Sequence, residues 1–82
     1  MRQPFSAEEA PYDVVRLRGN FLTALGASGI TQRELAIASD VSVDAIRRSL
    51  VSNMADPQLS TIVKVAAALG MSAAQLVEGI DA

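Results

Sequence analysis

The stretch Thr31-Gln32-Arg33-Glu34-Leu35-Ala36-Ile37-Ala38-Ser39-Asp40-Val41-Ser42-Val43-Asp44-Ala45-Ile46-Arg47-Arg48-Ser49-Leu50 decides how this chain folds. Thr31 and Glu34 form a capping box. The Thr31 hydroxyl accepts from the Glu34 amide, and the Glu34 carboxylate reaches back to the Thr31 amide. The spacing predicts a short helix to about Ser39 that buries Leu35 and Ala36. Asp40-Val41-Ser42 is then a tight turn, and Ser42 is a natural N-cap for a second helix to about Leu50.

Two short helices joined so tightly must cross steeply and touch closely. A small residue belongs at their contact, and Ala36 stands there. The turn asks for a left-handed backbone, usually supplied by Gly. Asp40 takes that place, and Asp is among the few other residues that tolerate it. Val41 and Ile46 are then placed to fill the angle. A small residue, a turn residue and two apolar residues in this order form the helix-turn-helix pattern.

Outward from this unit the chain stays helical. Asp13 can cap a first helix to about Leu25, with Val14, Leu17, Phe21 and Ala24 or Leu25 on one face. Gly19 weakens it by about 1 kcal/mol relative to Ala, and Gly26-Ala27-Ser28-Gly29 is expected to end it. Ser52 to Pro57 reads as loop. Leu59, Ile62, Val63, Ala66 and Leu69 repeat at helical spacing up to Gly70, a C-terminal stop. Ser72-Ala73-Ala74-Gln75 is a second capping box, opening a last helix that carries Leu76, Val77 and Ile80. The expectation is an all-α fold of five helices without strands over residues 13–82. Residues 1–12, with Pro4 and Pro11, Glu8 and Glu9, read as a flexible or docking arm. The expected core is Leu17, Phe21, Leu35, Ala36, Val41, Ile46, Leu50, Ile62 and Leu69. Ile37 falls on the exposed side of its helix.

With 82 residues the chain holds one domain at most, and so small a domain has a thin margin of stability. Ala, Leu, Ile and Val dominate a composition that is 50% hydrophobic and only 4% aromatic, which suits closely packed short helices. There is no cysteine and no histidine. A disulfide framework, a cysteine nucleophile, a zinc finger and a histidine general base are thereby excluded. No Gly-rich phosphate loop is present either, so the sequence argues against an enzyme and calls for no cofactor. No apolar run reaches the roughly 18 residues that cross a bilayer, and Met1 to Tyr12 lacks the apolar centre of a signal peptide. The expected location is the cytoplasm.

From Ile30 to Val77 the sequence resembles the lambda-repressor-like family, the phage repressor–Cro and xenobiotic-response-element type. The resemblance is carried by Ile30-Thr31-Gln32, Glu34-Leu35-Ala36, Val41-Ser42, Ile46, Pro57, Lys64, Ala68-Leu69-Gly70-Met71-Ser72 and Leu76. It implies a compact all-helical domain whose third helix, here 43–50, lies in the major groove of an operator in double-stranded DNA. The stretch from Ser42 to Leu50, with Ser52 and the loop to Pro57, also looks like the antitoxins of HigA-like addiction modules. Those share the fold, bind operator DNA and neutralise a toxin.

By this resemblance Gln32 touches phosphate or a base, and Arg33 faces phosphate or solvent. Arg47 lies one turn after Val43 on the same face and is placed to read guanine, whose major-groove acceptors suit a bidentate guanidinium. Arg48 is placed for phosphate and Val43 for a thymine methyl. Asp44 either accepts from cytosine N4 or serves the helix dipole as an acidic first-turn residue. Ser52 and Asn53 follow the recognition helix, where the family contacts phosphates; ordinary turn chemistry is the plainer reading. Taken apart from the fold, Arg47 and Arg48 would be a solvated face.

The charge departs from what DNA binding favours. The whole chain carries −2. Between Ile30 and Pro57 the three bases Arg33, Arg47 and Arg48 stand against the four acids Glu34, Asp40, Asp44 and Asp56. Phosphate neutralisation supplies most non-specific affinity, so random DNA should bind poorly. Two functions follow from one scaffold. One is a sequence-specific transcriptional regulator of the repressor type, working as a homodimer. The other is an antitoxin or similar protein-interaction module with weak or no DNA binding of its own.

Overall fold

Four side-chain caps set helix starts in the computed structural model, which describes residues 10–81. Asp13 accepts from the Arg16 amide at 3.0 Å and opens α1 (Val14–Ser28). Thr31 accepts from Glu34 at 3.0 Å, with the reciprocal carboxylate bond at 2.8 Å, and opens α2 (Gln32–Ser39). Ser42 accepts from Ala45 at 3.0 Å and opens α3 (Val43–Ile46). Ser72 and Gln75 form the second capping box, which opens α5 (Ala73–Leu76). Only α4 (Leu59–Ala68), after Gln58, starts without a side-chain cap. The fold is all-helical with five helices, and no strand occurs among the described residues.

Between α2 and α3 the backbone turns at Asp40, which is left-handed at φ 58°, ψ 36°. The amides of Asp40 and Val41 both donate to the carbonyl of Ala36, the latter at 3.2 Å. Ala36 is buried beneath this bend beside Leu35 and Ile46. A larger side chain there would wedge the helices apart, a change that typically costs about 1–3 kcal/mol. The third helix continues past Ile46 as a wider π-helical turn, Arg47–Val51. The Ser52 amide reaches back five residues to the Arg47 carbonyl at 2.8 Å, and the Met54 and Ala55 amides both meet the Arg48 carbonyl. The buried Ser49 donates its hydroxyl to the Ala45 carbonyl at 2.6 Å, a local bond of the kind that bends helices.

Phe21, Leu35, Ile46, Leu50, Val65 and Leu76 are fully buried at the centre. Each contributes about 1.5–3 kcal/mol by leaving water. α2 packs on α4, α4 on α5, and α1 on the π turn and α5. Asn20 closes the chain end onto α1, donating its amide to the carbonyls of Leu76 at 2.9 Å and Glu78 at 2.8 Å. The Asp13 amide donates to the Ile80 carbonyl at 2.7 Å.

Several expectations need correction. α1 runs to Ser28 rather than Leu25. Gly26 stays helical, and the stop is the left-handed Gly29 at φ 74°. The third helix runs to Val51, at the expected end near Leu50, but its second half is the π turn rather than α-helix. Val41 and Leu69 are half-buried and flank the core. The buried face of α4 is Ile62, Val65 and Ala66, whereas Leu59 is 77% and Val63 50% exposed. Five apolar positions cover more than one side of a helix, and the buried set excludes Leu59 and Val63. The last helix is shorter than expected: after Leu76 the chain continues in turns, with Gly79 left-handed at φ 80°. Leu76 is wholly buried in the chain's own core, while Val77 and Ile80 are half-buried. Ile37 is exposed, as its helical position dictates. Most of the expected arm, residues 1–9 including Phe5, lies outside the described residues.

The left-handed Asp40 has a measurable consequence. Asp40→Gly should leave stability unchanged or raise it by up to about 1 kcal/mol, since Gly holds this backbone without a side-chain clash. Asp40→Val should lose roughly 1–2 kcal/mol or more, because a β-branched residue fits the region badly. Chemical denaturation of the three proteins checks this. Equal midpoints for the Gly and Val variants would contradict the turn.

Candidate nucleic-acid interface

The bend at Asp40 sets the third helix at the surface with its first turn free. Ser42, Val43 and Asp44 are exposed there, and one turn later so are Arg47 and Arg48. Ile46 and Leu50, on the opposite side of the same helix, are fully buried. The helix is thus held by its apolar side and offers Val43, Asp44, Arg47 and Arg48 to the outside.

Asp44 sits in the first turn, where an acid is favoured by the helix dipole. Its carboxylate also engages both arginines. One oxygen lies 3.3 Å from an Arg47 guanidinium nitrogen and the other 3.7 Å from one of Arg48. All three side chains remain more than half exposed. Pairs so exposed contribute little to stability, about 0.2–1 kcal/mol each. They are easily exchanged for another anion.

The second helix carries two further expected residues, of which Arg33 lies beside the start of the third helix. Gln32 and Arg33 stand in the first turn of α2, with Arg33 exposed and Gln32 half-buried. Arg33 shares a surface groove with Asp40, Ser42 and Val43. The structure therefore brings Arg33 and Val43 together, with Asp44, Arg47 and Arg48 following along the third helix.

Ser52 and Asn53 occupy the loop expected for them. Ser52 is exposed and its amide is spent on the Arg47 carbonyl. Asn53 is left-handed at φ 54°, a conformation Asn tolerates. The turn chemistry is thus observed at both positions, with Ser52 exposed and Asn53 half-buried. The Tyr12 hydroxyl donates to the Asp56 carboxylate at 2.7 Å and fastens this loop to the start of α1. Burial first, then the bond to Asp56 and that carboxylate's charge, pushes the Tyr12 phenol well above its ordinary range. Sequence reasoning did not pair these residues, which are 44 positions apart. No local spacing announces such a contact.

Among the described residues no helix is long and apolar enough to cross a membrane. No protein-family model matches the chain, and no curated protein matches it in sequence. Solved structures do. The hypothetical transcription factor NHTF from Neisseria is similar over 93% of this chain and 84% of its own, with 26% identity and a TM-score of 0.71. The clp gene regulator ClgR from Corynebacterium glutamicum is similar over 78% of this chain and 67% of its own, with 28% identity and a TM-score of 0.69. The restriction-modification controller protein C.AhdI from Aeromonas hydrophila shares the fold, with 23% identity and a TM-score of 0.71 over 78% of this chain and 96% of its own.

The seating of the loop can be read through Tyr12, the one tyrosine of the chain. An alkaline absorbance titration should give a midpoint above the ordinary value of about 10. Asp56→Asn should lower that midpoint only partway, because burial is the larger cause. The folded-state value is raised, so this contribution to stability is complete below pH about 10 and is lost only as pH rises through the folded value. A wild-type midpoint at the ordinary value would contradict the contact.

Proposed function

We propose that the chain is a sequence-specific DNA-binding transcriptional regulator of the lambda-repressor-like type, acting as a repressor. Residues 13–82 are its DNA-binding domain, and the third helix enters the major groove. The observation that carries this reading is the exposed face of that helix: Val43, Asp44, Arg47 and Arg48 stand free while Ile46 and Leu50 anchor it. The likeness to transcription regulators of known structure supports it. Arg47 reads guanine, Val43 meets a thymine methyl, and Arg48 and Arg33 serve phosphates, with Gln32, Ser52 and Asn53 at the margins.

Such proteins read two half-sites about one helical turn apart as dimers. The exposed Leu59 and Val63, one turn apart on α4, support a homodimer here. With Ile62, Val77 and Ile80, Leu59 lines an apolar pocket of about 180 Å³.

Binding of wild type, Arg47→Ala and Arg48→Ala to DNA upstream of the gene and to a scrambled duplex, at two salt concentrations, tests the reading. Arg47→Ala should lose roughly 1–3 kcal/mol on the true site alone. Arg48→Ala should weaken both duplexes alike and flatten the salt dependence by about one. If wild type shows no salt-sensitive DNA binding even at low salt, the regulator reading fails, and an antitoxin or other protein-interaction module on this scaffold takes its place. Sedimentation without DNA should show a dimer at high micromolar concentration, and Val63→Glu should dissociate it. A wild-type monomer under those conditions would contradict the homodimer.

A further inference from the structure

We propose that Asp44 determines specificity at this interface, by penalising every DNA sequence that gives its carboxylate no hydrogen-bond donor and by selecting cytosine beside the guanine read by Arg47. This rests on the reading of the third helix as the one that enters the groove. In the free protein the two carboxylate oxygens are divided between the arginines, at 3.3 Å from Arg47 and 3.7 Å from Arg48. The exposed face of the helix thus offers an anionic ligand one net positive charge from Asp44, Arg47 and Arg48 together, rather than two from the arginines.

Asp44 stands on the same exposed face as the arginines, in the first turn that the Ser42 cap opens. When the arginines leave it for DNA, its carboxylate enters the groove with them. There it loses water and must find a donor, since a desolvated carboxylate without one is costly. Most of what it meets repels it: phosphates along the rim, and the acceptor edges of guanine and thymine on the floor. Cytosine N4 is the donor that suits an Asp. Guanine and thymine leave the carboxylate unpaired, and adenine sets its N7 acceptor beside its N6 donor, so discrimination comes from a repulsive element as well as from attraction. The pairs with Arg47 and Arg48 are weak enough to exchange, because all three side chains are more than half exposed. They lower affinity for generic DNA without blocking a site that satisfies both charges.

Selection from a randomised duplex pool with the full chain, wild type against Asp44→Asn, is the test. Asp44 is exposed and belongs to no buried network, and thermal unfolding of both proteins verifies that the variant is folded. The wild-type pool should carry a guanine and a neighbouring cytosine. The Asp44→Asn pool should keep the guanine, while the cytosine position relaxes or turns to adenine, which an Asn amide reads. Affinity of the variant for unselected DNA should rise about two- to thirtyfold, the worth of two exposed pairs. Identical pools would overturn the proposal and leave the regulator reading intact, even with a rise in general affinity. That rise alone would mark Asp44 as a repulsive charge without sequence choice. Failure of both proteins to enrich any sequence would overturn this proposal together with the regulator reading.

Discussion

One backbone carbonyl, that of Ala36, takes the amides of both Asp40 and Val41 and closes the bend between α2 and α3. The rest of the molecule depends on this bend. It needs a left-handed residue at Asp40 and a small one at Ala36. In return it drives Ile46 into the centre against Leu35 and leaves the opposite side of the third helix facing out. Phe21, Leu50 and Val65 complete the support from α1, the π turn and α4. The arrangement gives the exposed side chains a rigid base, as a recognition surface requires.

The surface so presented is electrostatically restrained. Arg47 and Arg48 are its cations on the third helix, and Asp44 engages both. A protein with this balance gains little from general attraction to phosphate. Whatever DNA affinity it has must come from a few well-placed contacts, which favours selectivity over residence on random sequence. The same two arginines open the π turn, Arg47–Val51. Wide turns of this kind occur often at functional sites. Here the turn carries the chain from α3 into the loop that Tyr12 fastens through Asp56.

Local chemistry was legible in the sequence wherever a cap or a turn residue enforced it. Asp13, Thr31, Ser42 and Ser72 each cap the helix they announce, and Asp40 adopts the left-handed backbone that its place in the pattern demands. Contacts between distant segments were less legible. α4 is apolar on more than one side, so periodicity alone could not say that Val65 is buried and Leu59 exposed. The capping box at Ser72 announced the last helix but not that Leu76 is wholly buried while Val77 and Ile80 are only half-buried. Tyr12 with Asp56, and Asn20 with the chain end, join residues by tertiary geometry with no sequence signature. Of the candidate site, the side chains on the third helix were readable from the helical repeat. The division of the Asp44 carboxylate between two arginines became visible only with side chains in place.

The central claim is that the outward face delivered by the Asp40 bend is the one that meets DNA. Amide shift mapping by nuclear magnetic resonance, during titration with a duplex selected by the wild-type protein, tests it most directly. The account predicts the largest changes at Gln32, Arg33, Val43, Asp44, Arg47 and Arg48, with smaller ones at Ser52 and Asn53. Changes centred on α1 or on the chain end after Leu76, with those amides unmoved, would contradict it.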